Sequence, residues 1–191
     1  MFLFDVETLS KSSESVILSM ACTHFIPEEK PSPDQLRANT FFAKFNVEDQ
    51  VKRLHRKIGK STIEWWAKQC DNVKIKSLNP NPAIDEIFEV GYERMREWVA
   101  TKNDNDWVWA RGNLDQLVMD SIEEQLELKP IFPYARWRDV RTGIDFLYGT
   151  TNGYCKVEYE GFDAYNHITK HDPADDCILD AMMLMYGKKG E

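Results

Sequence analysis

Two carboxylates, Asp5 and Glu7, lie one residue apart in the otherwise apolar opening segment MFLFDVETLS. If that segment is a β-strand, the two carboxylates lie side by side while Phe4, Val6 and Thr8 face the other way, because side chains two apart project to the same face. Such a pair is half of a site for a hard cation, since Mg²⁺ and Mn²⁺ prefer oxygen ligands and are commonly held by one or two carboxylates plus a substrate phosphate. The D-x-E pattern alone favours the alternative, an edge strand whose two acids are simply solvated.

Two more acidic positions could complete a cation site. Asp115 follows the apolar run DWVWA and the turn-like RGN, which places it in the first turn of a helix at a strand end, where open α/β sheets gather their binding sites. In HDPADD, Asp172 and Pro173 are the residue types expected at an N-cap and at the first helical position, so Asp176 falls early in a helix. Acids at helix starts also interact favourably with the helix dipole, which is the structural explanation for Asp115 taken alone.

His171 lies just outside this predicted helix start, on a less constrained backbone, where a mobile general base is expected. Taken alone, it is better explained as a surface histidine. Asp172 and Asp175 have structural explanations as the helix cap and a dipole partner. Asp180, one turn beyond Asp176, is a second-choice ligand because it lies deeper along the helix.

The elements that must position these side chains follow from apolar periodicity. Runs rich in apolar and β-branched residues predict the strands FLFDVET, SVILSMACTHF, NTFFAKF, DWVWA and ARWRDV. Helices are predicted from a capping box of Ser61 and Glu64, over residues 83–100, from RGN into LDQLVMDSIEEQ, after ARWRDV, and from Pro173 onward. We therefore expect an α/β fold with a mixed sheet of about five strands flanked by helices, in a single domain over residues 1–191.

Composition narrows the class of protein. The 191 residues are 42% apolar and include six Trp, which is enough for a sizeable core in one domain. The four cysteines are scattered without a C-x-x-C pair, so neither a zinc ribbon nor a disulfide framework is predicted, and a reducing cytosol is the simpler compartment. No apolar run approaches the roughly 20 residues of a membrane-spanning helix, and the acids in the opening segment are unlike a secretory signal. We expect a soluble cytoplasmic protein that makes no membrane contact.

The charge distribution bears on possible partners. A formal net charge of −8 argues against a nucleic-acid partner unless metal ions supply the positive charge. The stretch VKRLHRKIGK at residues 51–60 nevertheless concentrates five basic residues. It can be a solvated loop or a nucleic-acid contact surface, and the sequence favours neither interpretation.

The ordered motifs DVET, GNLDQLVMD and His-x4-Asp resemble the three exonuclease motifs of the DEDDh family in the ribonuclease H-like superfamily. The tyrosine subclass would need Tyr at position 172, which is Asp, so the histidine subclass matches better. KSTIEWW, the Arg-Gly before the second motif, RDVRT, and HDPADDC with its Met-rich helix MMLMY look like the phage exonuclease A (DexA-type) family of 3′–5′ exodeoxyribonucleases. The stretch before KSTIEWW and the loop at 148–166 show little that matches this family.

The resemblance implies a ribonuclease H-like fold and two Mg²⁺ or Mn²⁺ ions per site. The implied metal ligands are Asp5, Glu7, Asp115 and Asp176. Asp5 would bridge both ions, Glu7 and Asp176 would complete one site, and Asp115 would hold the second largely through water. His171 would take the proton from the attacking water.

The implied reaction is hydrolysis of DNA from its 3′ end to nucleoside 5′-monophosphates, in the host cytoplasm if the protein is phage-encoded. The alternatives are a 3′–5′ exoribonuclease with the same site, since the acids do not read the sugar, and a catalytically silent nucleic-acid-binding module. DNA is favoured over RNA as the partner, and the intact set of acids and His171 speaks against the silent module.

Further residues could contact substrate. Thr8 and Leu9 follow the metal pair and could meet the terminal nucleotide, Leu9 as an apolar wedge, although strand-end packing explains them equally well. One of Trp65 and Trp66 could stack on a base while the other is buried, because adjacent helical residues point about 100° apart. The last candidates are Arg138 and Arg141, which could contact phosphate, but a salt bridge to Asp139 that braces the fold is the favoured explanation. We expect Met182, Met183 and Met185 to pack in the core.

Overall fold

The structure, a computed structural model, describes residues 1–102 and 105–189. Its strands are β1 (Phe2–Thr8), β2 (Ile17–His24), β3 (Thr40–Phe45), β4 (Asp85–Glu86), β5 (Val108–Ala110), β6 (Trp137–Asp139), β7 (Lys156–Val157) and β8 (Gly187–Lys188). Six of them form one sheet in the order β4-β3-β2-β1-β5-β6, and β7 pairs with β8 in a separate two-stranded sheet.

The helices of the described residues lie between these strands. They are α1 (Pro33–Ala38), α2 (Val47–Lys52), α3 (Lys60–Trp66), α4 (Asp71–Val73), α5 (Phe88–Ala100), α6 (Leu114–Gln125), α7 (Val140–Tyr148), α8 (Ala164–His167) and α9 (Pro173–Tyr186). A π-helical turn, Lys74–Leu78, continues α4, and the short 3₁₀ turns are Pro27–Glu29 and Tyr134–Arg136.

Strand β1 lies at the centre of a mixed sheet. It pairs antiparallel with β2 and parallel with β5, and β2 pairs antiparallel with β3. The predicted α/β fold with a mixed sheet is therefore confirmed, with β4 as the additional strand. A central β1 also excludes the alternative in which Asp5 and Glu7 are solvated on an edge strand.

Alternation along β1 divides the core into two layers. Phe2, Phe4 and Val6 pack on one face of the sheet in the cluster that includes residues of α5 and α6. Leu3 faces the other side, in the cluster formed largely by α7 and α9. Asp5 and Glu7 share this second face, because residues two apart project to the same side of a strand.

The methionines of α9 belong to this second layer. Met182 and Met183 are buried in it, and Met185 packs partly buried at its margin, so their predicted core role is confirmed. In the part of the chain that the structure describes, the four cysteines are free thiols and no helix is long and apolar enough to cross a membrane.

The predicted helix over residues 83–100 begins five residues late, at Phe88. Asp85 and Glu86 are extended and pair with Lys44 and Phe45 as β4. Strand pairing replaces the predicted helix at these residues because Asp85 is 3.5 Å from the buried Lys44 ammonium and Asn46 N–H donates to the Glu86 carbonyl at 2.9 Å. Ile84 and Ile87, whose spacing fits a helix, are exposed.

The predicted capping box of Ser61 and Glu64 is wrong. Helix α3 begins at Lys60 with Gly59 at the N-cap and no side-chain cap. Gly59 N–H donates to the Leu9 carbonyl at 2.7 Å, and a Cβ at Gly59 would lie 3.1 Å from the Ser10 Cβ. This close approach to the chain leaving β1 sets the start of the helix, and Ser61 falls within the first turn.

Candidate active site

The carboxyl end of β1 opens into an acidic cavity of about 510 Å³. Its acidic lining residues are Asp5, Glu7, Asp115, Asp176 and Asp180, and its other polar or charged side chains are Arg111, Asn113, Arg141, Tyr154, Lys170 and His171. The fold therefore brings the four predicted metal ligands and the predicted base into one site, although they come from three distant parts of the sequence.

Asp115 is fixed against the strand that carries the first two acids. It lies in the first turn of α6, is buried, and accepts a hydrogen bond from Val6 N–H at 3.2 Å. The turn from β5 into α6 passes through Gly112, whose φ of 86° is in the region that favours glycine. Gly112 N–H donates to Asp139 at 3.2 Å, which ties the turn to the end of β6.

Helix α9 starts as the sequence predicts. Asp172 is its N-cap and accepts from Ala174 N–H at 3.1 Å, and Pro173 occupies the first turn. Asp176 lies in the same first turn and accepts from His171 N–H at 2.9 Å. That hydrogen bond holds His171 in a left-handed backbone conformation, with φ of 67°, beside the first turn of the helix.

Glu7, His171 and Asp176 form a compact group. One potential ligand atom from each lies within 4.8 Å of the other two, and His171 Nδ1 is 4.0 Å from a Glu7 oxygen. Three such atoms at this spacing can surround a metal ion or hold a water molecule.

The electrostatics of the acids call for a cation. Burial, and then the charges of Asp115, Glu7 and Asp176, raise the pKa of Asp5 well above its ordinary value. Burial and the neighbouring carboxylates do the same to the pKa of Glu7.

The pKa values of Asp115 and Asp176 are raised as well. Burial raises the pKa of Asp115 to about 7 despite the opposing hydrogen bond from Val6. Burial also raises the pKa of Asp176 to about 7, against the hydrogen bond from His171. Buried like charges repel one another and oxygen donors suit hard cations, so this set fits divalent metal ions.

The His171 ring is held by an aromatic neighbour. The Trp65 ring meets it edge-on with centroids 4.6 Å apart. Burial, with a smaller contribution from the charge of Lys170, lowers the pKa of His171 below its ordinary value. The imidazole is consequently neutral near pH 7 and able to accept a proton.

As predicted, one of the two adjacent tryptophans is buried and the other is exposed. Trp66 is buried, and its Nε1–H donates to the Thr8 carbonyl at 3.0 Å. Trp65 is 38% exposed beside His171. Trp65 is therefore the one that substrate could reach.

Thr8 and Leu9 are both turned into the protein. The Thr8 hydroxyl donates to the Ser10 carbonyl at 2.9 Å. Leu9 is only 3% exposed and packs in a small cluster with Val16 and Trp66. This placement fits strand-end packing better than an apolar wedge.

The salt bridge expected at Asp139 is replaced by backbone capping. Asp139 is the N-cap of α7 and accepts from Arg141 N–H at 3.0 Å. The Arg138 guanidinium lies 3.7 Å over the Trp107 ring and does not line the cavity. Arg141 does line it, beside Gly112, so only one of the two predicted phosphate contacts is near the acids.

Asp180 has a partner that the sequence analysis did not assign. Arg111 Nε donates to both of its carboxylate oxygens, at 3.1 and 3.2 Å. Arg111 directly follows β5 and Asp180 lies on α9, so only the tertiary fold reveals the pair. Asp180 is thus held as an ion-pair partner, while Arg111, Tyr154 and Lys170 are the cavity residues that sequence reasoning missed.

The basic stretch at 51–60 is not a free cationic surface. Each of its basic side chains has an internal partner: Lys52 with Glu48, Arg53 with Asp49 and Glu89, Arg56 with carbonyls of Ser13 and Ser15, Lys57 with Glu14, and Lys60 with Glu64. Local neutralisation favours the interpretation as ordinary protein surface.

Known proteins similar to this chain include nucleases. The chain is 27% identical to the exodeoxyribonuclease of Enterobacteria phage T4 over 209 residues, covering 97% of this chain and 87% of that protein. Among solved structures, the nuclease domain of 3′hExo, a DEDDh family member bound to rAMP, superimposes with a TM-score of 0.63 at 14% identity, covering 96% of this chain and 90% of that one. The second likeness supports the ribonuclease H-like fold.

Residues 1–186 match the family described as the 3′-5′ exoribonuclease Rv2179c-like domain. This match, the phage relative and the convergence of DEDDh motifs in one cavity agree on the type of enzyme. The chain belongs to the 3′-5′ exoribonuclease Rv2179c-like domain family and is a 3′–5′ exonuclease with a ribonuclease H-like fold.

Proposed function

We propose that the chain is a metal-dependent 3′–5′ exodeoxyribonuclease, a single domain that releases nucleoside 5′-monophosphates from the 3′ end of DNA. The observation that carries the proposal is the convergence of Asp5, Glu7, Asp115, Asp176 and His171 in one cavity. DNA is favoured as the substrate because the phage exodeoxyribonuclease is similar over 97% of this chain.

The four acids are assigned as the ligands of two divalent cations, Mg²⁺ or Mn²⁺. Bound cations neutralise the charge of the phosphodiester and lower the pKa of water. Asp5 is on the central strand, where the charges of Asp115, Glu7 and Asp176 act on it, and Val6 N–H donates a hydrogen bond to Asp115. Ion binding would offset the burial and the repulsion between like charges that raise the pKa values of these carboxyls.

His171 is assigned as the general base. Its side chain is near Glu7 and Asp176, and its lowered pKa keeps the ring ready to accept a proton from water. The T-shaped contact with Trp65 restricts the ring on one side. His171 has a left-handed backbone conformation just before the first turn of α9, and its Nδ1 is 4.0 Å from a Glu7 oxygen.

Arg141 and Lys170 are assigned to the substrate phosphates. Both are exposed cations that line the acidic cavity. Trp65 is available to the substrate at the same edge of the site, while Thr8 and Leu9 support it through packing.

Digestion of matched single-stranded DNA and RNA oligonucleotides labelled at the 5′ end tests the proposal. With Mg²⁺ or Mn²⁺ we expect a ladder that shortens from the 3′ end, that EDTA abolishes, and that forms faster on DNA. Asp176→Ala should abolish it while circular dichroism shows an intact fold. Glu160→Ala removes an exposed acid outside the cavity and should leave the ladder unchanged. Full activity of Asp176→Ala would overturn the site assignment.

A 3′–5′ exoribonuclease is the second candidate, favoured by the family description that residues 1–186 match. The same digestion distinguishes the two candidate functions, since faster cleavage of RNA than of DNA would make RNA the preferred substrate. Binding of both oligonucleotides without cleavage of either would instead indicate a catalytically silent binding module.

A further inference from the structure

Tyr154 is an aromatic residue of the acidic cavity that the motifs do not include. It belongs to the loop between α7 and β7, the part of the chain with little similarity to the exonuclease motifs. Its side chain lines the cavity together with the metal-ligand acids, yet it is 52% exposed. A half-exposed aromatic ring at a polar site is available to a ligand that can cover it.

One face of the Tyr154 ring is already covered. The Arg111 guanidinium lies 4.3 Å from the ring centroid, in a cation–π contact. Arg111 is itself fixed, because it donates to Asp180 through Nε and to the Gly153 carbonyl at 2.8 Å through a terminal nitrogen. The ring therefore has a rigid backing that joins it to α9, the helix that carries Asp176.

The loop backbone is also held. Gly153 N–H donates to Asp145 at 2.9 Å, and Tyr154 N–H donates to Asn152 at 3.0 Å. Gly153 has a φ of 71°, and a Cβ there would lie 2.5 Å from the Arg141 Cβ, so this close packing requires glycine. Because Arg111 and the loop backbone already hold the Tyr154 ring, the ring loses little conformational entropy when a planar ligand stacks on it.

We propose that Tyr154 stacks on the base of a nucleotide that flanks the phosphodiester bound at the acids. This inference rests on the proposed nuclease function. A nucleobase is the planar part of that substrate, and an aromatic face accepts any base, so the contact would add affinity without sequence preference. In the residues that the structure describes, the Tyr154 hydroxyl makes no hydrogen bond, and the ring is the group that acts.

Steady-state kinetics on 5′-labelled single-stranded DNA test the contact. Tyr154→Ala should raise KM about tenfold and change kcat by less than about threefold, because loss of one stacked base weakens binding. Tyr154→Phe keeps the ring and should return KM to near the wild-type value. Tyr134→Ala is the control, since Tyr134 is 83% exposed and lies outside the cavity. Thermal unfolding of each variant checks that the fold is intact.

Abasic substrates identify the base. One oligonucleotide lacks the base of its 3′-terminal nucleotide, and a second lacks the base of the penultimate nucleotide. Both keep the sugar and the phosphate at that position. With one of these abasic substrates, the KM of the wild-type protein should rise as much as the KM of Tyr154→Ala rises on normal DNA. On that same abasic substrate, the KM of Tyr154→Ala should rise no further. Additive effects of the variant with both abasic positions, or an unchanged KM for Tyr154→Ala, would overturn the stacking role while leaving the nuclease function standing. A wild-type protein that cleaves neither DNA nor RNA would overturn both.

Discussion

At the scale of single residues, His171 combines a constrained backbone with a neutral ring. Its φ of 67° is matched by a second histidine, His55, with φ of 53°, outside the acidic cavity. Asparagine tolerates this backbone region, so His→Asn at each position removes the ring without adding strain.

We expect His171→Asn to lower kcat by about 10²–10⁴-fold, the usual contribution of a general base. His55→Asn should retain the wild-type rate. Single-turnover hydrolysis with saturating Mg²⁺ measures both. A His171→Asn rate within about threefold of wild type would assign proton transfer to another group.

The acids make the metal-free protein sensitive to pH. Asp115 has a pKa of about 7 in the folded protein, against about 3.9 in an unfolded chain. Between these two pH values the Asp115 carboxyl is ionised in the unfolded chain but protonated in the folded protein. Its contribution to the free energy of unfolding is therefore complete at low pH and is lost as the pH rises through about 7. The Asp115→Asn side chain stays neutral and can still accept from Val6 N–H.

Asp115→Asn should therefore be more stable than wild type in EDTA at pH 8, by on the order of 1–4 kcal/mol, and the difference should shrink at pH 5. Thermal unfolding at the two pH values measures this. Mg²⁺ or Mn²⁺ should reverse the order by stabilising wild type more, since binding to the folded state adds to stability. A variant less stable than wild type in EDTA at both pH values would contradict the cost of ionising the buried Asp115 carboxyl.

The positions of the candidate ligand residues could be predicted from sequence because each depends on local geometry. Strand alternation places Asp5 and Glu7 on one face, and the Asp172-Pro173 helix start places Asp176 in the first turn. Arg111 and Tyr154 could not be predicted in this way. Their roles come from contacts with Asp180 and with each other, which only the folded chain creates.

At the scale of elements, the errors lie where tertiary contacts override local signals. The helix starts at Lys60 and Phe88 are set by a close backbone approach to Leu9 and by pairing at the sheet edge. Ser61 and Ile84 fit the local patterns but not these contacts. The centre of the sheet was predicted correctly because continuous apolar runs specify buried strands.

The segment before α9 is held by ion pairs on two sides. Arg37 of α1 pairs with Asp175 and donates to the His167 carbonyl at 2.5 Å, and Asp175 accepts from Thr169 N–H at 2.8 Å. On the other side, Lys76 pairs with Asp172. These contacts fix the chain on both sides of His171.

Arg37→Ala should lower kcat by roughly tenfold or more with a smaller change in KM, because small displacements of a catalytic group are costly. Arg94→Ala is the matched control, since Arg94 is a similarly exposed arginine that pairs with Glu86 away from the cavity. Kinetics and melting curves of both variants separate positioning from stability. Equal kcat values for the two variants would show that the brace does not position His171.

At the scale of the whole molecule, the charge balance limits how the protein can hold a polyanion. The net charge is −8, and the basic side chains of residues 52–60 have internal partners. Exposed cations beside the acids are Arg141 and Lys170. We therefore expect binding of the proposed substrate to depend on metal ions and on few phosphate contacts.

The salt dependence of binding tests this balance. For single-stranded nucleic acid, the logarithm of the binding constant falls by about 0.7 per neutralised phosphate for each decade of salt. Contacts from Arg141 and Lys170 alone predict a slope of roughly −1 to −2, measured by fluorescence anisotropy on the Asp176→Ala protein at constant Mg²⁺. Arg141→Ala in the same background should make the slope shallower by about 0.7, whereas Lys57→Ala should leave it unchanged because Lys57 is paired with Glu14. A slope of about −4 or steeper that Lys57→Ala reduces would show that the basic stretch leaves its internal partners to bind phosphate.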